Sequence, residues 1–201
     1  MEIILASKSP RRRELLTRLT SDFTVITARC DEDLGELAPD LGVAVLAERK
    51  GRATFDFIER ESGGAFDKMI ISSDTLVELD GVALGKPTDE AHAEKMLEAL
   101  SGREHRVHTG VCVRYKGRVF SGTATTRVKF RELSRDEILD YIATGEPMDK
   151  AGAYGIQGQG GRFVEHIDGD FDTVVGLSLR LTEALMKEAK EGIELSGGDG
   201  A

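Results

Sequence analysis

The stretch Ile3-Ile4-Leu5-Ala6-Ser7-Lys8-Ser9-Pro10-Arg11-Arg12-Arg13 joins a short apolar segment to the start of a helix. Ile3 to Ala6 form a continuous apolar run, which is typical of a short buried strand. Ser9 suits an N-cap, and Pro10 suits the first helical position, where its missing N–H leaves no bond unmade. The stretch therefore predicts a strand that leads directly into a helix.

Helical and strand patterns alternate along the rest of the chain. Helices are predicted over 41–59 and 89–100, from a capping box at Ser134 to near 144, and over 174–190. A strand is predicted to begin at 69–71, and Asp80-Gly81 predicts a tight hairpin turn. A long hairpin is predicted over 104–115 and 118–133. Crossover strands and hairpins together favour an α/β fold with a mixed central sheet and flanking helices.

The composition is that of an ordinary globular protein. The chain has 201 residues, 40% hydrophobic and 31% charged, which suits a single domain, assigned to residues 1–193. Residues 194–201 are of low complexity and are predicted to be a disordered tail. The net charge of −9 argues against a nucleic-acid-coating protein.

Location is predicted from what the sequence does not contain. No apolar run approaches the ~18 residues of a membrane span, and the first residues do not resemble a signal peptide. Cys30 and Cys112 are far apart and have no zinc-like spacing, which favours reduced thiols. We therefore expect a cytoplasmic protein without a membrane partner.

The arginine run at the first predicted helix is a candidate phosphate site. Arg11 to Arg13 occupy the first turn, where the helix dipole disfavours cations by a few tenths of a kcal/mol each. An anion bound by the free backbone N–H groups, by the Ser7 and Ser9 hydroxyls and by a guanidinium would explain them. The alternative is a solvated basic turn.

Asp74 follows the apolar segment Met69-Ile70-Ile71 and is predicted to lie at a strand end. A carboxylate there can face a cleft, as a general base or as an oxygen ligand of Mg²⁺. The alternative is an aspartate that begins a turn. The nearby acidic run 31–33 could also bind a divalent ion, although such a run is more often a solvated turn.

Two glycine-containing segments could contact a nucleotide. Gly85-Lys86-Pro87 is not part of a Walker motif, because three residues rather than four separate Gly81 from Gly85 and because Pro87 replaces the Ser or Thr. Lys86 is nonetheless a suitable point charge for a phosphate. The segment 151–161 contains five glycines but lacks the dinucleotide fingerprint. Gln157 within it could bind a base edge through its amide; the alternative is a flexible surface loop.

These motifs together resemble the Maf family of nucleoside triphosphate pyrophosphatases, in the branch that prefers dTTP and UTP. The resemblance rests on residues 5–16, on Ser73-Asp74-Thr75, on Gly85-Lys86-Pro87 and on 144–158, and it spans about residues 2–190. It implies an elongated fold like that of the inosine-triphosphate pyrophosphatases, with two lobes around a cleft. It also implies hydrolysis to the nucleoside monophosphate and pyrophosphate with a divalent cation, Mg²⁺ first and Mn²⁺ or Co²⁺ as alternatives.

The resemblance also assigns roles to individual residues. Asp74 is the implied proton acceptor, and Glu32 with Asp74 would hold the metal. Arg12, Thr75 and Gln157 correspond to the residues associated with substrate preference. Lys50 and Lys86 correspond to further cleft residues, and Ser7, Ser9 and Arg11 are expected to support Arg12.

Some questions stay open at this point. The other candidate function is a nucleotide-binding regulator of septum formation and cell division, which would not need turnover. A homodimer is one candidate for the oligomeric state. Near the C-terminus the chain departs from the family's usual Asn-Val-Val-Gly-Leu-Pro, because it has Thr173 and Ser178 at the outer positions. Thr173 is expected to cap the helix that follows.

Overall fold

A computed structural model describes residues 2–62 and 67–194 of the chain. The seven strands are β1 Glu2–Leu5, β2 Phe23–Val25, β3 Lys68–Leu79, β4 Val82–Leu84, β5 Glu104–Tyr115, β6 Arg118–Phe130 and β7 Val164–Asp168. The helices are α1 Pro10–Thr17, α2 Pro39–Ser62, α3 Glu90–Leu100, α4 Arg135–Ala143, α5 Phe171–Val175 and α6 Leu179–Glu194. Apart from Glu194, which ends α6, the predicted disordered tail lies outside the described residues.

The strands form one mixed sheet in the order β2-β1-β3-β5-β6-β7, with β4 paired to the free edge of β3. β1 pairs in parallel with β2 and with β3, whereas all other pairs are antiparallel. The predicted α/β class and mixed sheet are confirmed. Ser9 caps α1 with Pro10 in its first turn, and the Ser134–Glu137 capping box begins α4, as the sequence predicts.

The helices cover the sheet unequally, so that two separate cores form on one face. At one end α1, α5 and α6 pack on residues such as Leu5, Ile71 and Val113. At the other end α3 and α4 pack on Val77 and Phe130. On the opposite face α2 packs over Ile4 and Ile70. The two cores are the two lobes, and the long strands β3, β5 and β6 connect them.

Between the lobes, β3 changes its partner. β1 pairs with residues 68–71 of β3, and β4 pairs with residues 77–79. In the described part of the chain no strand pairs with residues 72–76 on that edge, although β5 pairs with them on the other side. Asp74 therefore lies in the middle of a 12-residue strand, and the prediction that it lies at a strand end is wrong. What ends beside it is β1, because Ser7 and Ser9 direct the chain into α1.

The C-terminal segment also differs from its prediction. The expected single helix over 174–190 is two helices, because Gly176 adopts a φ of 127° that breaks the helical path between α5 and α6. Thr173 lies inside α5 and does not cap the longer helix. Ser178 does so instead, since its hydroxyl accepts a hydrogen bond from the Leu181 N–H at 3.3 Å.

None of the helices within 2–62 and 67–194 is long and apolar enough to cross a membrane.

Helix α2 approaches the sheet closely at Gly110 of β5. A Cβ atom at this position would lie 2.1 Å from the Val43 carbonyl oxygen and 2.3 Å from its carbonyl carbon. Both are main-chain atoms, which cannot move away as a side chain can. The distance between α2 and the sheet therefore requires glycine at position 110, and this distance brings Lys50 of α2 to β3.

We expect Gly110→Ala to lower the free energy of unfolding by about 3 kcal/mol or more, because the added methyl group must displace α2. Urea denaturation with a circular-dichroism readout measures the change. Gly122→Ala in β6 is the matched control, since its Cβ would meet only the flexible Leu181 side chain at 3.3 Å. Equal effects of the two substitutions would contradict this account.

His105 is buried at the core that α3 and α4 cover, and its Nε2 lies 2.8 Å from the Tyr154 hydroxyl. Its Nδ1 is buried with no hydrogen-bond partner among the described residues. Burial lowers the pKa of His105 to about 4, from an ordinary value of 6.5. The unfolded chain therefore binds a proton at a pH where the folded protein does not.

The protein should lose stability as the pH falls from about 6.5 toward 4, because protonation of His105 favours the unfolded chain in that window. At pH 5 the loss relative to pH 8 is about 2 kcal/mol from this group. In His105→Gln the difference in the free energy of unfolding between pH 8 and pH 5, measured by urea unfolding, should be smaller by that amount. The exposed His166→Gln should leave it unchanged; an unaltered difference in His105→Gln would refute the assignment.

Candidate active site

Three charged groups converge at the unpaired stretch of β3. The Lys50 ammonium, reaching across from α2, forms an ion pair and a short hydrogen bond with the Asp74 carboxylate. The same ammonium lies 2.9 Å from Glu32 Oε1, in the loop before α2. The Asp74 side chain is 13% exposed and the Glu32 side chain is 65% exposed. Of the two carboxylates that contact Lys50, Asp74 is therefore sheltered and Glu32 faces solvent.

The ammonium of Lys50 is stabilised in its charged form. Burial alone opposes the charge, but the carboxylates of Asp74 and Glu32 outweigh it and raise the pKa of Lys50 above its ordinary value. Cys30 lies in the same neighbourhood, and sequence reasoning gave it no place there. Its partial burial raises the pKa of its thiol, with Lys50 acting in the opposite direction.

Arg12 approaches the same stretch from α1. Its Nη2 donates to the Thr75 hydroxyl at 3.2 Å, and its Nη1 lies 3.4 Å from Ser7 Oγ. Its Nε donates to the Gly176 carbonyl at 2.8 Å. Burial lowers the pKa of Arg12 below its usual value, while Asp74 acts in the opposite direction. The guanidinium is thus held in place by neutral groups, and Asp74 is the charge that favours it most.

The carbonyl of Gly176 connects Arg12 to β3. It accepts hydrogen bonds from Arg12 and from the Ser73 hydroxyl at 3.0 Å. Gly176 follows the last residue of α5, where the helix dipole places partial negative charge and favours a nearby cation. The break between α5 and α6 therefore supplies the acceptor that orients Arg12.

The remaining residues of the predicted phosphate site have local roles. Ser9 Oγ accepts the Arg12 backbone N–H at 3.4 Å as the cap of α1, and Ser7 Oγ accepts the Ser9 N–H at 3.2 Å. Arg11 is partly buried and contributes to the lowered pKa of Asp149, after the larger effect of Lys150. Arg13 is exposed. Arg12 is thus the arginine of the run that reaches β3.

Lys86 and Gln157 belong to the two glycine-containing segments, which pack on the core that α3 and α4 cover. β4 leads Lys86 back alongside β3, and Gly85 O accepts the Gly152 N–H at 3.1 Å, which joins the two glycine-containing segments. Lys86 and Gln157 are both exposed, and neither makes a hydrogen bond or ion pair with any residue that the structure describes. Both side chains are therefore available to a ligand.

Glu146 organises the segment that carries Gln157, and sequence reasoning did not single it out. Its carboxylate accepts the Tyr141 hydroxyl at 2.9 Å and the backbone N–H groups of Gln159 and Gly160 at 3.0 and 3.2 Å. Burial opposes ionisation, but these hydrogen bonds prevail and lower the pKa of Glu146. A Cβ at Gly158 would lie 2.4 Å from Glu146 Oε1. The segment therefore folds around one carboxylate through these hydrogen bonds. They do not support the alternative of a flexible surface loop.

The carboxylates of the site suit a cation that is shared with a ligand. Within the described ranges no group of three or more His, Cys, Asp or Glu residues could hold a metal ion by itself. Asp74 and Glu32 nevertheless meet at one position, which the Lys50 ammonium occupies. Mg²⁺ is commonly bound by one or two carboxylates together with substrate phosphates. The donor set thus fits such an ion only in company with a phosphate ligand.

The chain is similar to known proteins over nearly its whole length. Residues 2–189 match the family described as Maf-like protein. A protein of Thermococcus onnurineus named dTTP/UTP pyrophosphatase is 49% identical over 179 residues, covering 89% of this chain and 93% of the relative. Proteins of the same name from Clostridium acetobutylicum and Bacillus velezensis are 47% and 46% identical. The alignments cover 89% and 92% of this chain, and 93% and 95% of those relatives.

Glu146→Gln should loosen the loop around Gln157. The substituted amide places an N–H₂ group against backbone N–H donors, and hydrogen bonds to a neutral acceptor are weaker than those to a carboxylate. We expect exchange of the Gln159 and Gly160 amide hydrogens to become roughly 5- to 30-fold faster, which corresponds to ~1–2 kcal/mol. Hydrogen exchange followed by NMR measures this directly.

The exposed Glu165→Gln, in β7, is the control and should leave the exchange rates of the Gln159 and Gly160 amides unchanged. Unaltered protection of these amides in Glu146→Gln would show that other contacts hold the loop.

Proposed function

The chain belongs to the Maf-like protein family, and we propose that it hydrolyses dTTP and UTP to the nucleoside monophosphate and pyrophosphate. The observation that carries the proposal is the convergence of Asp74, Lys50 and Arg12 on the unpaired stretch of β3. Cations from both faces of the sheet meet there beside one sheltered carboxylate, in a protein whose net charge is −9. Such a local concentration of positive charge suits a triphosphate.

In the proposed reaction water attacks the α-phosphorus and pyrophosphate leaves. Asp74 accepts the proton of the attacking water, as the general base. Lys50 holds the Asp74 carboxylate in position before the substrate arrives. The negative charge of the triphosphate then competes with Glu32 and Asp74 for the Lys50 ammonium. Arg12 and Lys86 stabilise the negative charge that develops on the phosphate oxygens.

Asp74 and Glu32 are the residues that would hold a divalent cation, with Mg²⁺ proposed first and Mn²⁺ or Co²⁺ as alternatives. When bound, such an ion neutralises part of the charge on the leaving pyrophosphate. Two carboxylates around one cationic position support this assignment.

Gln157 is proposed to bind the base. Its amide offers one donor and one acceptor, which matches the adjacent N–H and C=O groups of uracil and thymine. Cytosine presents the opposite polarity at position 4. The Glu146-centred loop holds the backbone around Gln157 while its side chain faces solvent. Modified pyrimidine nucleotides with the same edge would be accepted as well.

A regulator of septum formation that binds nucleotide without turnover is not favoured, because the curated relatives described above are named as enzymes. We propose a cytoplasmic location, which the free thiols of Cys30 and Cys112 support. The proposed partner is a nucleoside triphosphate rather than a nucleic-acid polymer.

The proposal is tested by measuring pyrophosphate and orthophosphate release from a nucleotide panel, with Mg²⁺ and with a chelator. We expect stoichiometric pyrophosphate from dTTP and UTP, loss of turnover on chelation, and little product from dCTP. Asp74→Asn should lower kcat by about 100-fold or more while nucleotide still binds, because the general base is removed.

Asp56, a partly exposed residue of α2, pairs with Arg52, and the control Asp56→Asn should retain the parental rate. Parental turnover by Asp74→Asn would overturn the assignment of the base, and release of orthophosphate would overturn the reaction itself.

A further inference from the structure

Thr109 lies next to Thr75 in the sheet and belongs to none of the motifs described above. It is fully buried in β5, directly opposite Thr75 of β3. Its hydroxyl donates to the Thr173 carbonyl in α5 at 2.7 Å, and its oxygen lies 2.9 Å from Thr75 Oγ1. Thr109 thus connects the site to α5 from beneath.

The direction of these hydrogen bonds follows from counting protons. A hydroxyl group has one proton to donate, and a carbonyl oxygen can only accept. The Thr109 proton is therefore committed to the Thr173 carbonyl. The contact between the two threonines can form only if Thr75 donates and Thr109 accepts.

The orientation of the Thr75 hydroxyl in turn determines whether its lone pairs or its proton face the Arg12 guanidinium. Because the Thr75 proton points at Thr109, the lone pairs of Thr75 are left for the Arg12 Nη2 donor at 3.2 Å. The bonds then run in one direction, from Arg12 through Thr75 and Thr109 to the Thr173 carbonyl. Successive hydrogen bonds of this kind polarise and strengthen one another.

Without the Thr109 hydroxyl, the Thr75 proton has one other nearby acceptor within residues 2–62 and 67–194. This is the Gly176 carbonyl, 3.5 Å away, which already accepts from the Arg12 Nε. A reoriented Thr75 would compete with Arg12 for that oxygen. Both hydrogen bonds that fix the guanidinium to β3 and α5 would therefore be weakened.

We propose that Thr109 is a positioning residue for substrate binding: its hydroxyl fixes the hydrogen-bond direction of Thr75 and thereby orients Arg12 toward the nucleotide phosphates. This inference rests on the proposed function, since it takes the nucleotide as the ligand of Arg12. Thr109 itself does not touch the ligand.

The test is a double-mutant cycle between Thr109→Val and Arg12→Lys. Valine keeps the branched shape of threonine and replaces the hydroxyl with a methyl group, which can neither donate nor accept a hydrogen bond. Affinity is measured by calorimetry with a UTP analogue whose α,β-bridge is not hydrolysable, so that the readout does not depend on turnover. We expect Thr109→Val to raise Kd about three- to tenfold, and Thr109→Ser to restore it.

The cycle separates positioning of Arg12 from a general structural role. In the Arg12→Lys background Thr109→Val should raise Kd by less than twofold, because the oriented guanidinium is already lost. The matched control is Thr126→Val: Thr126 is also buried, and its hydroxyl donates to the Asp170 carbonyl just before α5 at 3.0 Å. Within the part of the chain that the structure describes, Thr126 forms no hydrogen bond with Thr75, and Thr126→Val should leave Kd unchanged.

Three results would overturn the proposal: equal effects of Thr109→Val in both backgrounds, an equal effect of Thr126→Val, or failure of Thr109→Ser to restore binding. Urea unfolding of each variant checks that the folded fraction is the same. If the parental protein binds the analogue but releases no pyrophosphate from UTP, the proposed function fails while the cycle still decides on Thr109. Absence of binding would refute both.

Discussion

The change of partners along β3 determines where everything else in the molecule lies. A strand normally satisfies its backbone groups on both edges through neighbouring strands, and β3 does so with β1 at its start and β4 at its end. Between them, at residues 72–76, no strand of the described chain pairs with that edge. Because side chains of a strand alternate between faces, Asp74 meets Lys50 on the α2 face and Thr75 meets Arg12 on the other. This gap in the strand pairing thus brings Arg12, Glu32, Lys50 and Gly176 together around β3.

The two cations at this gap, Lys50 and Arg12, have different kinds of partner. Lys50 is shared between two carboxylates, whereas Arg12 is held mainly by uncharged oxygen atoms of Ser7, Thr75 and Gly176. A guanidinium that is partly removed from water without a bound carboxylate retains much of its attraction for an anion. Lys86 adds a second cation without a protein partner among the described residues. Cations that can attract an anion therefore meet at this gap, although the net charge of the chain is −9.

Local rules in the sequence predicted the local structure well. The Ser9 cap, the proline after it, the Asp80-Gly81 turn and the Ser134–Glu137 capping box each depend on neighbouring residues only. The mixed sheet followed from the alternation of such signals. The position of Asp74 was wrong because the extent of β3 depends on β5, which lies some thirty residues further along the chain. The break at Gly176 was missed because a glycine in a helical pattern signals a break only when tertiary contacts require one.

The residues that support the site were the hardest to find from sequence. Thr109 is one of many threonines, and only its pairing with Thr75 shows its significance. Glu146 stands between Gly145 and Pro147 in the sequence, yet its partners at 159 and 160 become neighbours only when the loop folds back. A residue that acts through another residue belongs to no motif with a characteristic spacing, so the sequence alone does not reveal it.

The loop centred on Glu146 has a consequence for the thermodynamics of ligand recognition. Glycines lose more conformational freedom on folding than other residues, and this segment contains five between 151 and 161. The Glu146 carboxylate fixes the backbone after Gln157, at Gln159 and Gly160, and the Tyr141 hydroxyl fixes it before Gln157 by accepting the Gly155 N–H at 3.0 Å. That freedom is therefore lost when the protein folds and not when a ligand arrives. In the role proposed for Gln157, a ligand needs to immobilise only the Gln157 side chain. The proposed discrimination between base edges would then depend on the fixed backbone of the loop rather than on its glycine content.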